Sequence, residues 1–189
     1  GGGQGAFMGG VHRIAARMDD RWELVSGALS SNKERAKVSA DEIGLVRSYS
    51  SFEEMAKVES SLEDGIDAVS IVTPNNVHSA PVIAFLNAGI HVICDKPLAA
   101  TMEQANQISE SVEKSEARFF LTHNYTAYPL IRQAQKLVKE GALGQIRVVQ
   151  SEYVQDWLTN ETSNRQADWR TDPKQSGAGS IGDIGTHAF

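Results

Sequence analysis

The chain has 189 residues, 41% hydrophobic and 22% charged, and 18 lysines and arginines against 24 aspartates and glutamates give a formal net charge of −6. This is globular composition, which excludes wholesale disorder, and the acidic balance argues against a broad basic surface for nucleic acid. One cysteine, Cys94, excludes an internal disulfide framework and a multi-cysteine zinc site. With no apolar run of about 18–20 residues and no signal peptide, the expectation is a soluble cytoplasmic protein with no membrane partner.

Six of the sixteen glycines fall in the first ten residues, Gly1-Gly2-Gly3-Gln4-Gly5-Ala6-Phe7-Met8-Gly9-Gly10, and run into the helical pattern of Val11 to Ala16. Glycines permit a tight turn and let backbone N–H groups approach a pyrophosphate, which a helix N-terminus also attracts. The spacing Gly1-x-Gly3-x-Gly5-x-x-x-Gly9 departs from G-x-G-x-x-G, so a longer loop is expected; a terminal linker is the plain alternative. The chain has no initiator methionine, and Phe189 follows Thr186-His187-Ala188 without a polar tail, so it reads as a piece cut at both ends.

Residues 23–29 read as a buried strand, and Ser30-Ser31-Asn32 offers an N-cap to a helix ending at Ile43. A short strand at 46–50 and a helix at 52–60 precede a strand at 66–72, bounded by Gly65 and Pro74. Helical spacing from His78 to Ala88 ends at Gly89, followed by a strand at 90–94. Thr101 caps a helix to about Lys114, and 118–122 is a further strand. Short strands joined by helices imply βαβ units and a parallel sheet, an α/β fold. Beyond Thr122 the expectations are a helix at 128–139 ending at Gly141, a strand at 145–157, and a polar stretch leading to Gly177-Ala178-Gly179. The domain boundary is placed so that 1–122 forms one domain and 123–189 begins another.

Ligands of open parallel sheets bind off the carboxyl ends of strands. Two turns there stand out: Thr73-Pro74-Asn75 with His78, and Asp95-Lys96-Pro97. A solvated lysine is the plain reading of the second. Asp183 and His187 are spaced i, i+4 and would share one face of a helix. They suit a capping aspartate with an incidental histidine, an aspartate-poised general base, or two ligands of a metal whose third is not evident. After the strand at 23–29, Ser30 stands where dinucleotide folds usually carry an acid for the adenosine ribose. Lys33 and Arg35 follow, an arrangement suited to a 2′-phosphate.

The glycine loop, Thr73-Pro74-Asn75 with His78, Asp95-Lys96-Pro97, and Trp169-Arg170 ahead of Asp183-x-x-x-His187 together resemble the Gfo/Idh/MocA family of NAD(P)-dependent oxidoreductases. The resemblance implies a Rossmann-type, doubly wound parallel sheet lacking its first strand, then the start of a C-terminal α/β domain with an open sheet. Without that strand the isolated piece is expected to be marginal or aggregated. The resemblance also implies roles. Gly1, Gly3, Gly5, Ala6, Phe7 and Met8 line the pyrophosphate. Ser30 lies at the ribose end. Thr73, Pro74, Asn75 and His78 border the cofactor's middle, and Asp95, Lys96 and Pro97 the nicotinamide side. Asp95 stands for the family's glutamate. Asn124 sits near the nicotinamide, and Trp169 and Arg170 close over the cofactor.

Lys96, Asp183 and His187 are the implied catalytic set, with no metal. The cofactor is NADP or NAD, with NADP favoured by Ser30. The substrate is sugar-like, and the whole protein is expected to be a dimer or tetramer. A dinucleotide-sensing regulator and an NAD-dependent glycoside hydrolase are the alternatives on the same scaffold.

Overall fold

Strand and helix alternate through the first 121 residues. In order come α1 (Phe7–Arg17), β1 (Ser26–Gly27), α2 (Lys33–Ile43), β2 (Arg47–Ser48), α3 (Phe52–Glu59) and β3 (Ala68–Ile71). They are followed by α4 (Ser79–Asn87), β4 (His91–Cys94), α5 (Met102–Lys114) and β5 (Phe119–Leu121). The computed structural model describes residues 1–162, 165–172, 176 and 179–188, with 165, 166 and 169 described by backbone alone. Its chain divides into two units, Gly1–Leu121 and Thr122–Phe189.

Helix starts in the first unit follow local chemistry. The side chain of Asn32 accepts from the Arg35 N–H, that of Ser51 from Glu54, and that of Thr101 from Gln104. Each such cap stabilises its helix by about 1 kcal/mol. Every strand pair is parallel: β1 with β2, and β3-β4-β5 in that order, with Ile71 opposite Cys94 and Cys94 opposite Leu121. The core joins Val82, Phe85 and Leu86 of α4 to Val69 and Ile71 of β3, Val92 and Cys94 of β4, and Ile108 of α5. Fully burying side chains of this size stabilises the fold by about 1.5–3 kcal/mol each. Burial and the neighbouring Asp95 push the Cys94 thiol up to about 12.

The two sheets are not hydrogen-bonded to each other. Between their edges lies a groove of about 460 Å³, lined by Val25 to Leu29, Ile66 to Thr73, Gly2 and His12 among others. A doubly wound sheet has a central strand at this place. The strand expected at 23–29 is correspondingly short, because a ladder extends only as far as its partner: Ser26 pairs with Arg47 and Gly27 with Ser48.

A second, polar centre braces the β1–β2 side. Glu59, 1% exposed, receives Arg47 Nε and Nη2 at 2.9 and 3.0 Å and the Tyr49 hydroxyl at 2.8 Å. The Ile66 N–H also donates to it, at 3.2 Å. Burial alone pushes the Glu59 carboxyl up, but Arg47, Tyr49 and Ser26 outweigh burial and hold it below the usual carboxylate value.

The second unit contains α6 (Pro129–Lys139), α7 (Arg165–Thr171) and α8 (Gly179–Asp183), with 3-10 turns at Asn124–Ala127 and Gly185–His187. Pro129 opens α6, where its missing N–H costs nothing. The strand expected at 145–157 does not form: 146–156 carry no regular structure. Among the described residues of this unit there is no strand to pair with it. Val148, Val149 and Val154 are 84%, 81% and 88% exposed, so the β-branched pattern has neither a ladder nor an apolar face to cover it. Among the described residues, no helix is long and apolar enough to cross a membrane.

Candidate functional site

The glycine loop lies between the carboxyl ends of β1 and β3. The Gly1 nitrogen donates to the Ala28 carbonyl at 2.9 Å. A Cβ on Gly1 would stand 3.0 Å from the Val72 carbonyl, and one on Gly3 would stand 2.8 Å from the Leu29 carbonyl and from Ser39 Oγ. Gly2 and Gly5 adopt φ of 85° and 73°, conformations that strain other residues. A Cβ on Gly9 would stand 2.6 Å from both Cα and O of Gly2. Glycine at 9 therefore lets α1 seat directly on the loop.

Ala6 caps α1 with no side-chain hydrogen bond, and the first turn holds no acid. The opening N–H groups of Phe7 and Met8 are thus left for a ligand, and the helix dipole favours a negative one. Phe7 is 71% exposed. At the next strand end, the Ser30 hydroxyl accepts from the Asn32 N–H at 3.2 Å, while Asn32 caps α2. Ser30 therefore belongs to the turn that starts the helix.

The turns after β3 and β4 are built into the core. Asn75 is 5% and Asp95 8% exposed. Thr73 Oγ1 is buried and has no hydrogen-bond partner among the described residues. A buried hydroxyl in that state is costly, so a ligand group that bonds it fits this place. Together with the open start of α1, it shows that the residues present suit a dinucleotide.

His78 is 0% exposed, and its ring nitrogens lie 2.9 Å from the carbonyls of Thr73 and Pro97. Expected at the cofactor's border, the ring is wholly enclosed, and what it does is tie the two turns together. Pro74 is exposed, and Lys96 and Pro97 are half-buried; the Lys96–Pro97 peptide is cis.

A residue left unassigned by sequence also reaches this turn. His12 of α1 places Nδ1 2.6 Å from Ser70 Oγ and Nε2 3.3 Å from Asp95 Oδ1. The signal that could have found it is its spacing: His12 is i+3 from Gly9, on the helix face that meets the loop.

In the second unit, Asp183 ends α8 and His187 lies in the following 3-10 turn, so the two do not share one continuous helix as their spacing suggested. Gly182 and Gly185 favour that break. Asp183 Oδ2 receives Arg170 Nε at 2.9 Å, and Arg170 also stands 5.8 Å over the Trp157 ring. The side chain of Trp169 lies outside the described residues. His187 is set among rings: Tyr125 at 4.5 Å between centroids, and Tyr153 and His123 at 5.8 Å. The Tyr125 and Tyr153 hydroxyls are 2.9 Å apart, and that bond, followed by burial, raises Tyr125. Asn124 is exposed at the start of its 3-10 turn. Among the described residues, no group of three His, Cys, Asp or Glu could hold a metal ion.

Known proteins resemble this chain in sequence and fold. Residues 2–123 match the profile of the Gfo/Idh/MocA oxidoreductases, NAD-binding Rossmann fold, and residues 131–189 that of the Gfo/Idh/MocA C-terminal domain. The chain resembles the crystal structure of an oxidoreductase from Sinorhizobium meliloti, at 52% identity and a TM-score of 0.84, covering 100% of this chain and 48% of that one. It resembles an inositol dehydrogenase homolog from Azotobacter vinelandii complexed with NADH and myo-inositol, at 33% identity and a TM-score of 0.88, over 98% and 48% of the two chains. Levoglucosan dehydrogenase of Pseudarthrobacter phenanthrenivorans is 32% identical over 98% of this chain and 47% of its own. The chain spans about half the length of the relatives it matches.

Proposed function

The chain belongs to the Gfo/Idh/MocA family of oxidoreductases, and from that premise we propose that the whole protein is an NAD(P)-dependent dehydrogenase acting on a secondary alcohol of a sugar or cyclitol. The observation that carries this reading is the glycine loop held between two strand ends ahead of a helix with no side-chain cap. It supports a pyrophosphate held by Gly1, Gly3, Gly5, Ala6, Phe7 and Met8. Thr73, Pro74 and Asn75 border the middle of the cofactor, with the unpartnered Thr73 hydroxyl as the polar group that needs a ligand there.

When bound, the nicotinamide supplies a hydride acceptor at C4. An imidazole nitrogen of His187 takes the hydroxyl proton of the substrate. The Lys96 ammonium offsets charge developing on the same oxygen, an electrostatic effect of about 3 kcal/mol for one well-placed donor. Asp183 stabilises the charged imidazole, with Arg170 holding its carboxylate. By the family resemblance, Asn124 is assigned to the nicotinamide side, and Trp169 and Arg170 to the cover of the cofactor. Ser30 with Lys33 and Arg35 favours NADP over NAD, since no acid at Ser30 repels a 2′-phosphate. The soluble, cytoplasmic, oligomeric character of the family member is part of this reading.

The test uses the full-length protein. NADH and NADPH are titrated in parallel by energy transfer from tryptophan, and turnover is measured with myo-inositol and levoglucosan, the compounds named with its relatives. Lys96→Ala is expected to cut turnover at least a hundredfold while the nucleotide still binds. Near-normal turnover sinks the assignment, and binding of neither nucleotide removes its basis. Binding with no turnover on a broad panel of polyols favours the regulator.

A further inference from the structure

We propose that His12 is a positioning residue for Lys96. It fastens the residue before the lysine to the helix that follows the glycine loop, and so couples the nucleotide end of the site to its reactive end. This rests on the reading of Lys96 given above. Neither the glycine pattern nor the Asp95-Lys96-Pro97 turn assigns anything to His12.

The geometry supplies the coupling. Gly9 and His12 share the inner face of α1, and Gly9 sits against Gly2 with no room for a side chain between them. Any ligand that settles on the loop and the start of α1 therefore acts on a helix whose next turn carries His12. The Asp95 carboxylate can only accept, so Nε2 carries the hydrogen and donates to Oδ1 at 3.3 Å. In the neutral ring Nδ1 is then the acceptor for the Ser70 hydroxyl, 2.6 Å away.

Both partners are enclosed: the His12 side chain is 17% exposed and that of Asp95 11%. Solvent therefore competes little for this bond. On the other side of Lys96, the Pro97 carbonyl is held by His78 from the start of α4. The lysine thus stands between two residues each fastened to a histidine, one on α1 and one packed in the core. The α1 tie reaches the glycine loop through Gly9, while the His78 tie reaches it by the Thr73 carbonyl, beside Gly1.

The geometry makes an unusual demand on replacements. Glutamine can place its amide nitrogen where His12 has Nε2 and keep the bond to Asp95. Asparagine reaches only the position of Nδ1 and loses it. Phenylalanine fills the volume and loses both bonds. His12→Gln, His12→Asn and His12→Phe are made in the full-length protein, with NADH and NADPH affinity and thermal unfolding recorded for each. Lys96 acetylation by acetic anhydride is then followed by mass spectrometry with and without saturating nucleotide.

In the wild type, nucleotide is expected to slow Lys96 acetylation at least fivefold. His12→Gln retains that protection within twofold, whereas His12→Asn and His12→Phe lose it while binding nucleotide within threefold of wild type. Equal protection in all three variants overturns the proposal, and so does equal loss in all three, which marks a purely structural histidine. If His12→Phe fails to fold, the Gln and Asn pair decides alone. If saturating nucleotide leaves wild-type Lys96 unprotected, the functional reading falls first and this inference with it, an outcome distinct from the others.

Discussion

The two units hold their polar side chains in different ways. In Gly1–Leu121, polar groups near the strand ends are buried and anchored to main chain or to full charges: His78 on two carbonyls, Glu59 on Arg47, Tyr49 and the Ile66 N–H. In Thr122–Phe189, the half-buried His187 is surrounded by rings, and Tyr125 and Tyr153 meet by a single hydroxyl pair. In the first unit the candidate site is continuous with the core and inherits its rigidity. In the second, His187 and the tyrosines meet by contacts worth about 1 kcal/mol each, beside the charged tie of Arg170 to Asp183. A substitution therefore reads out differently in the two: as a folding or positioning defect in the first, as a local change in the second.

Glu59→Gln tests the first half of that contrast most severely. It puts a neutral amide in place of the buried carboxylate that faces Arg47, Tyr49 and the Ile66 N–H, while the half-buried Arg47 keeps Asp64, and the expected loss is about 2 kcal/mol, read by denaturant unfolding. Because Glu59 is held below its ordinary value, its contribution is complete above the unfolded carboxylate pKa, about 4.3. It fades as pH falls through the lower folded value. Wild type should therefore lose stability more steeply below about pH 4 than Glu59→Gln; parallel curves would show that the carboxylate is not the group being titrated.

Gly9→Ala probes the junction of core and site. The added methyl would meet Gly2 Cα and O at 2.6 Å, so the loop must shift, and NADPH and NADH affinity should fall at least tenfold with the core intact. Unchanged affinity would separate the loop from the nucleotide. Tyr125→Phe is the smallest expected change. Removing the hydroxyl bonded to Tyr153 should cost about 1 kcal/mol or less, and a loss several times larger would mean that the second unit is as tightly anchored as the first.

Most helices of the first unit, and the succession of its strands along the chain, were legible because their causes are local. Asn32, Ser51 and Thr101 cap where a capping side chain was available, and apolar runs such as His91–Cys94 fit only a buried strand. Residues 145–157 misled because strand formation depends on a partner that β-branched composition does not supply. Asp183 and His187 were legible as a pair by spacing alone, but Gly182 and Gly185 interrupt the helix that would have aligned them. His12 escaped notice because its partners, Ser70 and Asp95, lie 58 and 83 residues away. The turns at Thr73 and Asp95 could be found because strand ends in a parallel sheet announce themselves; the ring that joins them could not.

Cys94 has a practical consequence. It is the chain's lone cysteine, it is 0% exposed at the end of β4, and burial pushes its thiol up to about 12. Enclosed and raised in this way, the thiol offers alkylating and oxidising agents little to attack beside Asp95 and Lys96. A cysteine introduced at any exposed position in these 189 residues can accept a fluorophore or spin label by itself, with the native thiol left in place.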